Sequence, residues 1–276
     1  VVLRMRSQIG RLLRPQGDEY DLRIAIPVRP GRGELRADGG GGHPVRVVTD
    51  PTGSVEVRNL TFGYSGGSTV LDIQEMFIGS GERVFLHGPS GSGKTTLLGL
   101  IAGVLRPPPG TLHVLGRDVG ALSSPARDRL RAAHIGYVFQ MFNLIPYLNV
   151  RENIGLPARI TAERRRRLNG SLDDAVAEAA DDLGIGHLLE ERVTRLSVGQ
   201  QQRVAAARAL LGAPEVIIAD EPTSALDADR RHAFLELLFR NVEEAGSTLL
   251  FVSHDLSLAD RFDRSLSLPE LNRVGG

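Results

Sequence analysis

Cysteine is missing from the sequence, which excludes disulfides, thiolate catalysis and iron–sulfur ligation by its own side chains. The absence fits a reducing compartment. Long apolar runs are missing too: VIIA at 216–219 and LLFV at 249–252 are strand-sized, far short of the ~18 residues that cross a bilayer. The first residues, VVLRMRSQIGRLLRP, mix arginine with apolar residues and lack the continuous apolar stretch of a secretory signal. The expectation is a soluble chain, or one held at a membrane through something else. Net charge is also absent, with Lys+Arg and Asp+Glu both at 33, so no global field attracts nucleic acid and no such partner is expected. Lysine is almost absent. Lys94 is the only one, and the other basic residues are all arginine.

What is present is ample for a sizeable core. The 276 residues suffice for one large domain or a domain with an appendage, and 41% hydrophobic content is ordinary for a globular chain. Residues 1–52, with RPGRGELRADGGGGHP at 29–44, read as a disordered N-terminal extension. A weaker reading of 1–14 is an amphipathic helix, with Val2, Met5, Ile9, Leu12 and Leu13 opposite Arg4, Arg6, Arg11 and Arg14, suited to a membrane surface.

From Val55 onward strand and helix signals alternate. VEVRNLTFGY alternates with period 2, and TVLDIQEMFI pairs with it across the Gly66-Gly67 turn. RVFLH, HVLG, IGYVFQ, EVIIAD, STLLFVSH and SLSL read as further strands. TTLLGLIAGV, parts of 163–190, VAAARALLG and 229–245 read as helices. Apolar strands separated by helices predict an α/β fold with a mostly parallel sheet, beside a smaller antiparallel sheet built before residue 83. The run Arg164–Arg167 reads as a solvated helix face.

The lone lysine lies in HGPSGSGKTT. Gly88, Pro89, Ser90, Gly91, Ser92, Gly93, Lys94 and Thr95 fill the phosphate-loop pattern GxxxxGK[ST], between a strand and a helix that continues through Thr96. Glycines bring backbone N–H groups to phosphate oxygens, and the helix start adds its positive end. The lysine reaches the β/γ-phosphates as a compact charge where a planar guanidinium would not fit. Thr95 offers a hydroxyl to Mg²⁺. This pattern implies a nucleoside triphosphate and leaves the enzyme class open. EVIIAD then ends in Asp220-Glu221, placing a Mg²⁺-holding carboxylate and a base for an attacking water at a strand's C-terminal edge.

Further along, LSVGQQQR precedes a helix, and with it the chain resembles an ATP-binding cassette (ABC) ATPase over roughly residues 55–270. The family signature LSGGQ is matched by Leu196, Ser197, Gly199 and Gln200, with Val198 in place of a glycine. Gln140 matches the Q-loop glutamine, Asp227 in SALD the D-loop, His254 the switch histidine, and Tyr64 the aromatic that stacks on adenine. If Val198 occupies a position with φ > 0, closure of a dimer would be weakened.

The resemblance implies an ABC ATP-binding domain over 53–276, with a phosphate-loop NTPase core, an antiparallel β subdomain and an inserted helical subdomain at about 141–212. It implies ATP hydrolysis, with Glu221 and His254 catalytic and Thr95, Gln140 and Asp220 serving Mg²⁺. Ser197, Gly199 and Gln200 would act on the ATP of a second subunit, expected to be a second copy. The run IGYVFQMFNLIPYLNVRENI resembles the lipoprotein-releasing and macrolide-export type. That resemblance implies membrane-embedded permease subunits and a peripheral position on the cytoplasmic face of the membrane. The alternative is a soluble cassette ATPase without a permease, such as an iron–sulfur assembly ATPase.

Overall fold

The computed structural model describes residues 53–224 and 226–274. The N-terminal extension and the amphipathic helix considered for 1–14 lie outside the described residues.

Strands β1 (Val55–Gly63) and β2 (Thr69–Ile78) form the expected antiparallel hairpin, with Val55 opposite Ile78 and Leu60 opposite Ile73. Their alternation is not uniform. Val55, Val57, Met76 and Ile78 are buried in one phase, and Leu60, Leu71 and Ile73 in the other. The phase changes at Asn59, whose φ of 49° turns the strand over, a conformation asparagine tolerates better than most residues. After β3 (Arg83–His87) and helix α1 (Lys94–Ile101), strands β4 (Leu112–Val114) and β5 (Arg117–Asp118) complete an antiparallel sheet in the order β2-β1-β4-β5.

Helix α2 (Ser124–His134) leads into β6 (Ile135–Val138). Four helices follow: α3 (Val150–Ile160), α4 (Ala162–Arg166), α5 (Leu172–Asp182) and α6 (Val198–Leu210). The chain then returns as β7 (Val216–Asp220), α7 (Ala228–Glu244), β8 (Thr248–Val252), β9 (Arg264–Ser267) and the short α8 (Leu268–Leu271). The second sheet runs β6-β7-β8-β3-β9 and every pairing in it is parallel.

Both faces of that sheet are covered, so its inner strands β7, β8 and the middle of β3 are buried apolar runs, while the edge strand β9 (RSLS) is largely polar and exposed. Phe85, Ile217, Ala219, Leu249 and Phe251 point into one core with α3, α5, α6 and α7. Val84, Leu86, Ile218, Leu250 and Val252 point into the other, with α1 and the antiparallel sheet. Ser54 Oγ and Thr248 Oγ1 lie 2.7 Å apart, and Gly81 N donates to Thr248 Oγ1 at 2.8 Å, tying the two sheets together.

Helices α2 and α3 are not among the helices expected from sequence, although both are amphipathic; the first is strongly polar, and the second carries Gly155 and Pro157. Its start is fixed by a reciprocal cap, in which Asn149 Oδ1 accepts from Glu152 N while Glu152 Oε2 accepts from Asn149 N.

Within the arginine run Arg165 and Arg166 are exposed as a solvated face would have them, but Arg164 and, in part, Arg167 are not. Arg164 is 2% exposed and donates to the carbonyls of Ala132, Ile135, Ala209 and Leu211. Burial, and then the charge of Arg167, lowers its pKa to about 10. Arg167 forks onto both oxygens of Glu215 at 2.9 Å, and His134 Nδ1 lies 3.0 Å from the same carboxylate. Burial pushes the Glu215 carboxyl up, but the bonds and charge from His134 and Arg167 outweigh it and hold the pKa at about 2. An arginine whose partners are backbone carbonyls on other elements leaves no charge pattern in the sequence.

Candidate functional site

The parallel order places β7, β8 and β3 side by side, so the residues after each strand meet at one edge. In such sheets that carboxyl edge is where ligands bind. A cavity of about 510 Å³ opens there, lined by Val70, Ser90, Gly91, Gly93, Lys94, Thr95, Thr96, Gln140, Asp220, Glu221 and His254. Ten of those eleven residues belong to the motifs read from sequence. The eleventh, Val70 on β2, has no motif signal.

The phosphate loop is fixed by close packing. Gly93 caps α1 with φ 99°, and a Cβ there would sit 2.7 Å from Leu71 Cδ2, so only glycine fits. Lys94 Nζ donates to the Gly88 and Pro89 carbonyls at 2.7 and 2.9 Å, which holds the ammonium within the loop. A buried asparagine far down the chain braces the same loop. Asn272 Nδ2 donates to Ser92 O at 3.3 Å and to Val70 O at 3.0 Å, while its Oδ1 accepts from Asp72 N at 2.8 Å. Gly88, Pro89 and Ser92 shape the loop without lining the cavity.

Across from the loop, Glu221 follows β7 in a left-handed conformation with φ 45°, held by its own N–H donating to Val252 O at 2.9 Å. That region is a strained setting for a non-glycine residue. Glu221 Oε2 lies 3.0 Å from His254 Nδ1. Burial first, and the adjacent Glu221 charge second, raise the Asp220 pKa, with Tyr137 and Lys94 opposing them. Tyr137 OH donates to Asp220 Oδ2 at 3.5 Å and its ring stacks on Phe139. Tyr137 gives only the sequence signal of a strand residue. Tyr64, half-exposed, stands outside the cavity lining, and its hydroxyl is 3.1 Å from Thr96 Oγ1 on α1.

The signature lies elsewhere on the surface. Ser197 caps α6: its Oγ accepts from Gln200 N at 3.3 Å, and its N–H donates to Gln200 Oε1 at 2.9 Å. Val198 is the first residue of the helix and is not among the positive-φ residues, so the strain anticipated for it does not arise. Asp227 caps α7 by accepting from Arg230 N at 2.9 Å. Neither Asp227 nor Ser197, Gly199 and Gln200 line the cavity.

The segment after Gln140 explains why FNLIP and VREN occur together. Asn153, fully buried, donates to the Ile145, Leu148 and Asn149 carbonyls and accepts from Ile145 N at 2.8 Å. The VREN asparagine is therefore the brace of the FNLIP turn.

This geometry is that of a nucleotide-hydrolysing cassette, and comparison with known proteins agrees. The ABC transporter family model matches residues 71–224, and the chain belongs to that family. It is similar to the ABC transporter ATP-binding protein YbbA of Escherichia coli (strain K12), 41% identical over 78% of this chain and 93% of that one. It is similar to the lipoprotein-releasing system ATP-binding protein LolD of Anaeromyxobacter dehalogenans, 40% identical over 80% and 92%. Among solved structures, it resembles the dimeric post-hydrolysis state of the cassette MJ0796 bound to ADP and Pi, with a TM-score of 0.68 and 33% identity over 77% of this chain and 93% of that one. The protein is an ABC ATPase that energises a membrane transporter.

Proposed function

We propose that two copies of this chain bind and hydrolyse two ATP molecules at composite sites and drive a permease of the lipoprotein-releasing type. The carrying observation is the Glu221–His254 pair facing the phosphate loop across one cavity. Lys94 and the loop amides hold the β/γ-phosphates, and Tyr64 stacks on the adenine. Glu221 takes a proton from the attacking water, and His254 orients Glu221 and meets the γ-phosphate. Ser197, Gly199 and Gln200 of the second copy complete the site, with Asp227 beside it.

Mg²⁺ fits this donor set. Thr95, Gln140 and Asp220 bring oxygen atoms suited to a hard cation to the same cavity. Burial and then the adjacent Glu221 charge raise the Asp220 pKa, and two neighbouring carboxylates in one partly buried site call for positive charge. When bound, the ion neutralises charge on the transferred phosphoryl group.

Residues 53–276 act as the ATP-binding domain, and about 141–212 as its helical subdomain. The permease contact is assigned to the segment beside Gln140, where Met141 is 81% and Tyr147 71% exposed. Among the described residues no helix is long and apolar enough to cross a membrane. In this proposal the chain reaches the cytoplasmic face of the membrane through that partner. The similarity to LolD supports extraction or export as the work done.

The test is purification of the full chain from detergent-solubilised membranes. The expected result is co-purification of a membrane-spanning protein whose presence raises ATP turnover. Recovery with soluble proteins only would overturn the permease assignment.

A further inference from the structure

Gln140 sits in a tight turn whose backbone is unusually demanding. Phe142 and Asn143 are consecutive residues with φ of 56° and 46°. Asparagine tolerates this region, but phenylalanine does not, at a cost of about 1–3 kcal/mol for a strained residue. Local bonds draw the turn closed: Phe142 N donates to Phe139 O at 2.8 Å and Asn143 N to Met141 O at 2.6 Å. On one side Gln140 enters the nucleotide cavity, and on the other Met141 is exposed.

One side chain from a distant element grips this turn. Arg208 on α6, only 9% exposed, donates from Nη2 to Phe142 O at 2.7 Å and from Nη1 to Asn143 O at 2.8 Å. None of the ion pairs among the described residues involves Arg208. A buried cation without a counter-ion is costly to keep. Burial lowers its pKa to about 10, in keeping with that cost. Its two donors satisfy the carbonyls of the two strained residues. A planar fork does this with one rigid group, whereas an ammonium on a shorter stem lacks the fixed spacing. The same helix is capped by Ser197, so the residue that pins the Gln140 turn belongs to the rod that carries the signature.

We propose that Arg208 is a positioning residue for Gln140, locking the left-handed Phe142–Asn143 turn so that the glutamine amide is held in the nucleotide cavity. This rests on the reading of Gln140 as a Mg²⁺ donor. Arg208 itself touches neither nucleotide nor metal in this proposal.

The experiment compares Arg208→Lys and Arg208→Gln in the full chain, alone and combined with Gln140→Ala. Amide hydrogen exchange is measured without nucleotide or Mg²⁺, and the Mg²⁺ concentration for half-maximal ATP turnover is measured separately. Exchange should quicken within 139–148 and stay unchanged in β3 and β7. The Mg²⁺ requirement should rise about tenfold, as for loss of a residue that orients a metal ligand. In the Gln140→Ala background the same substitutions should change it by less than about twofold, because the effects share one route.

Arg208→Lys retains the charge and most of the volume, so it keeps the test available if Arg208→Gln does not fold. Unchanged exchange in Arg208→Lys would overturn the proposal, as would an equal Mg²⁺ effect with and without Gln140. If Gln140→Ala alone leaves the Mg²⁺ requirement unchanged, the metal reading of Gln140 fails, and this inference fails with it.

Discussion

Two glycine-bearing helix starts in the molecule are built on opposite terms. In the phosphate loop, Gly93 is required by its own chain, since a Cβ would press into Leu71 and the φ of 99° suits no other residue. In the signature, Gly199 lies inside helix α6, and an added Cβ would meet only Leu226 Cδ2 at an ordinary 3.9 Å. Nothing in the folded chain demands glycine there. The first site is a concave cradle that dictates its residues from within. The second is an exposed helix start where the folded chain itself makes no demand for glycine, in keeping with a role toward a second subunit.

Four measurements would break or sharpen that contrast. Glu221→Gln in the cradle half should bind ATP normally and lose turnover by a factor on the order of 10²–10⁴, the usual worth of a positioned base. Unchanged turnover would remove Glu221 from the catalytic role. Gly199→Ala should lower turnover by up to about 10², the penalty for a displaced contact at a reacting centre. At the same time it should raise folding stability by up to ~1 kcal/mol through helix propensity. If both stability and turnover fall, the glycine serves its own chain and the contrast collapses.

The third measurement probes the attachment of α4 to the core through Glu215. Its carboxyl falls from 4.5 in the unfolded chain to about 2 when folded, so its ionised form stabilises the fold above pH 4.5. That contribution disappears as pH falls from 4.5 toward 2. The stability gap between the wild-type chain and Glu215→Gln, taken from urea midpoints, should therefore be widest near pH 6 and narrow by pH 3. A gap that widens on acidification would reverse the assignment. The smallest effect belongs to Val198→Gly. Because Val198 already has helical φ, restoring the family glycine should change turnover by less than about twofold, given propensity differences below 1 kcal/mol.

Most of the cradle half was legible from sequence because its requirements are local. The loop pattern, the apolar strand ending in Asp220-Glu221, and the strand ending in His254 each carry chemistry within a few residues. The framework strands were legible for the same reason, apart from the change of face at Asn59 and the extent of the antiparallel sheet, which was expected from the strands before residue 83 and also takes in β4 and the unforeseen β5. What stayed hidden depends on contacts across the chain. Arg164 and Arg208 are buried by partners that are backbone carbonyls, and carbonyls have no sequence identity. Asn272 reaches the phosphate loop from the far end of the chain. Helix α3 was obscured by its own glycine and proline, although its Asn149–Glu152 cap is a readable start signal.

The scarcity of lysine has a consequence for chemical control. Lys94 carries the sole ε-amine of the sequence, clasped by two loop carbonyls in the cavity where the phosphates are read. Acetylation removes the positive charge of a lysine, so an acylating reagent or enzyme that seeks a side-chain amine has one target in this chain. The fraction of that one amine left unmodified would report, residue for molecule, the fraction of chains that keep the loop's ammonium.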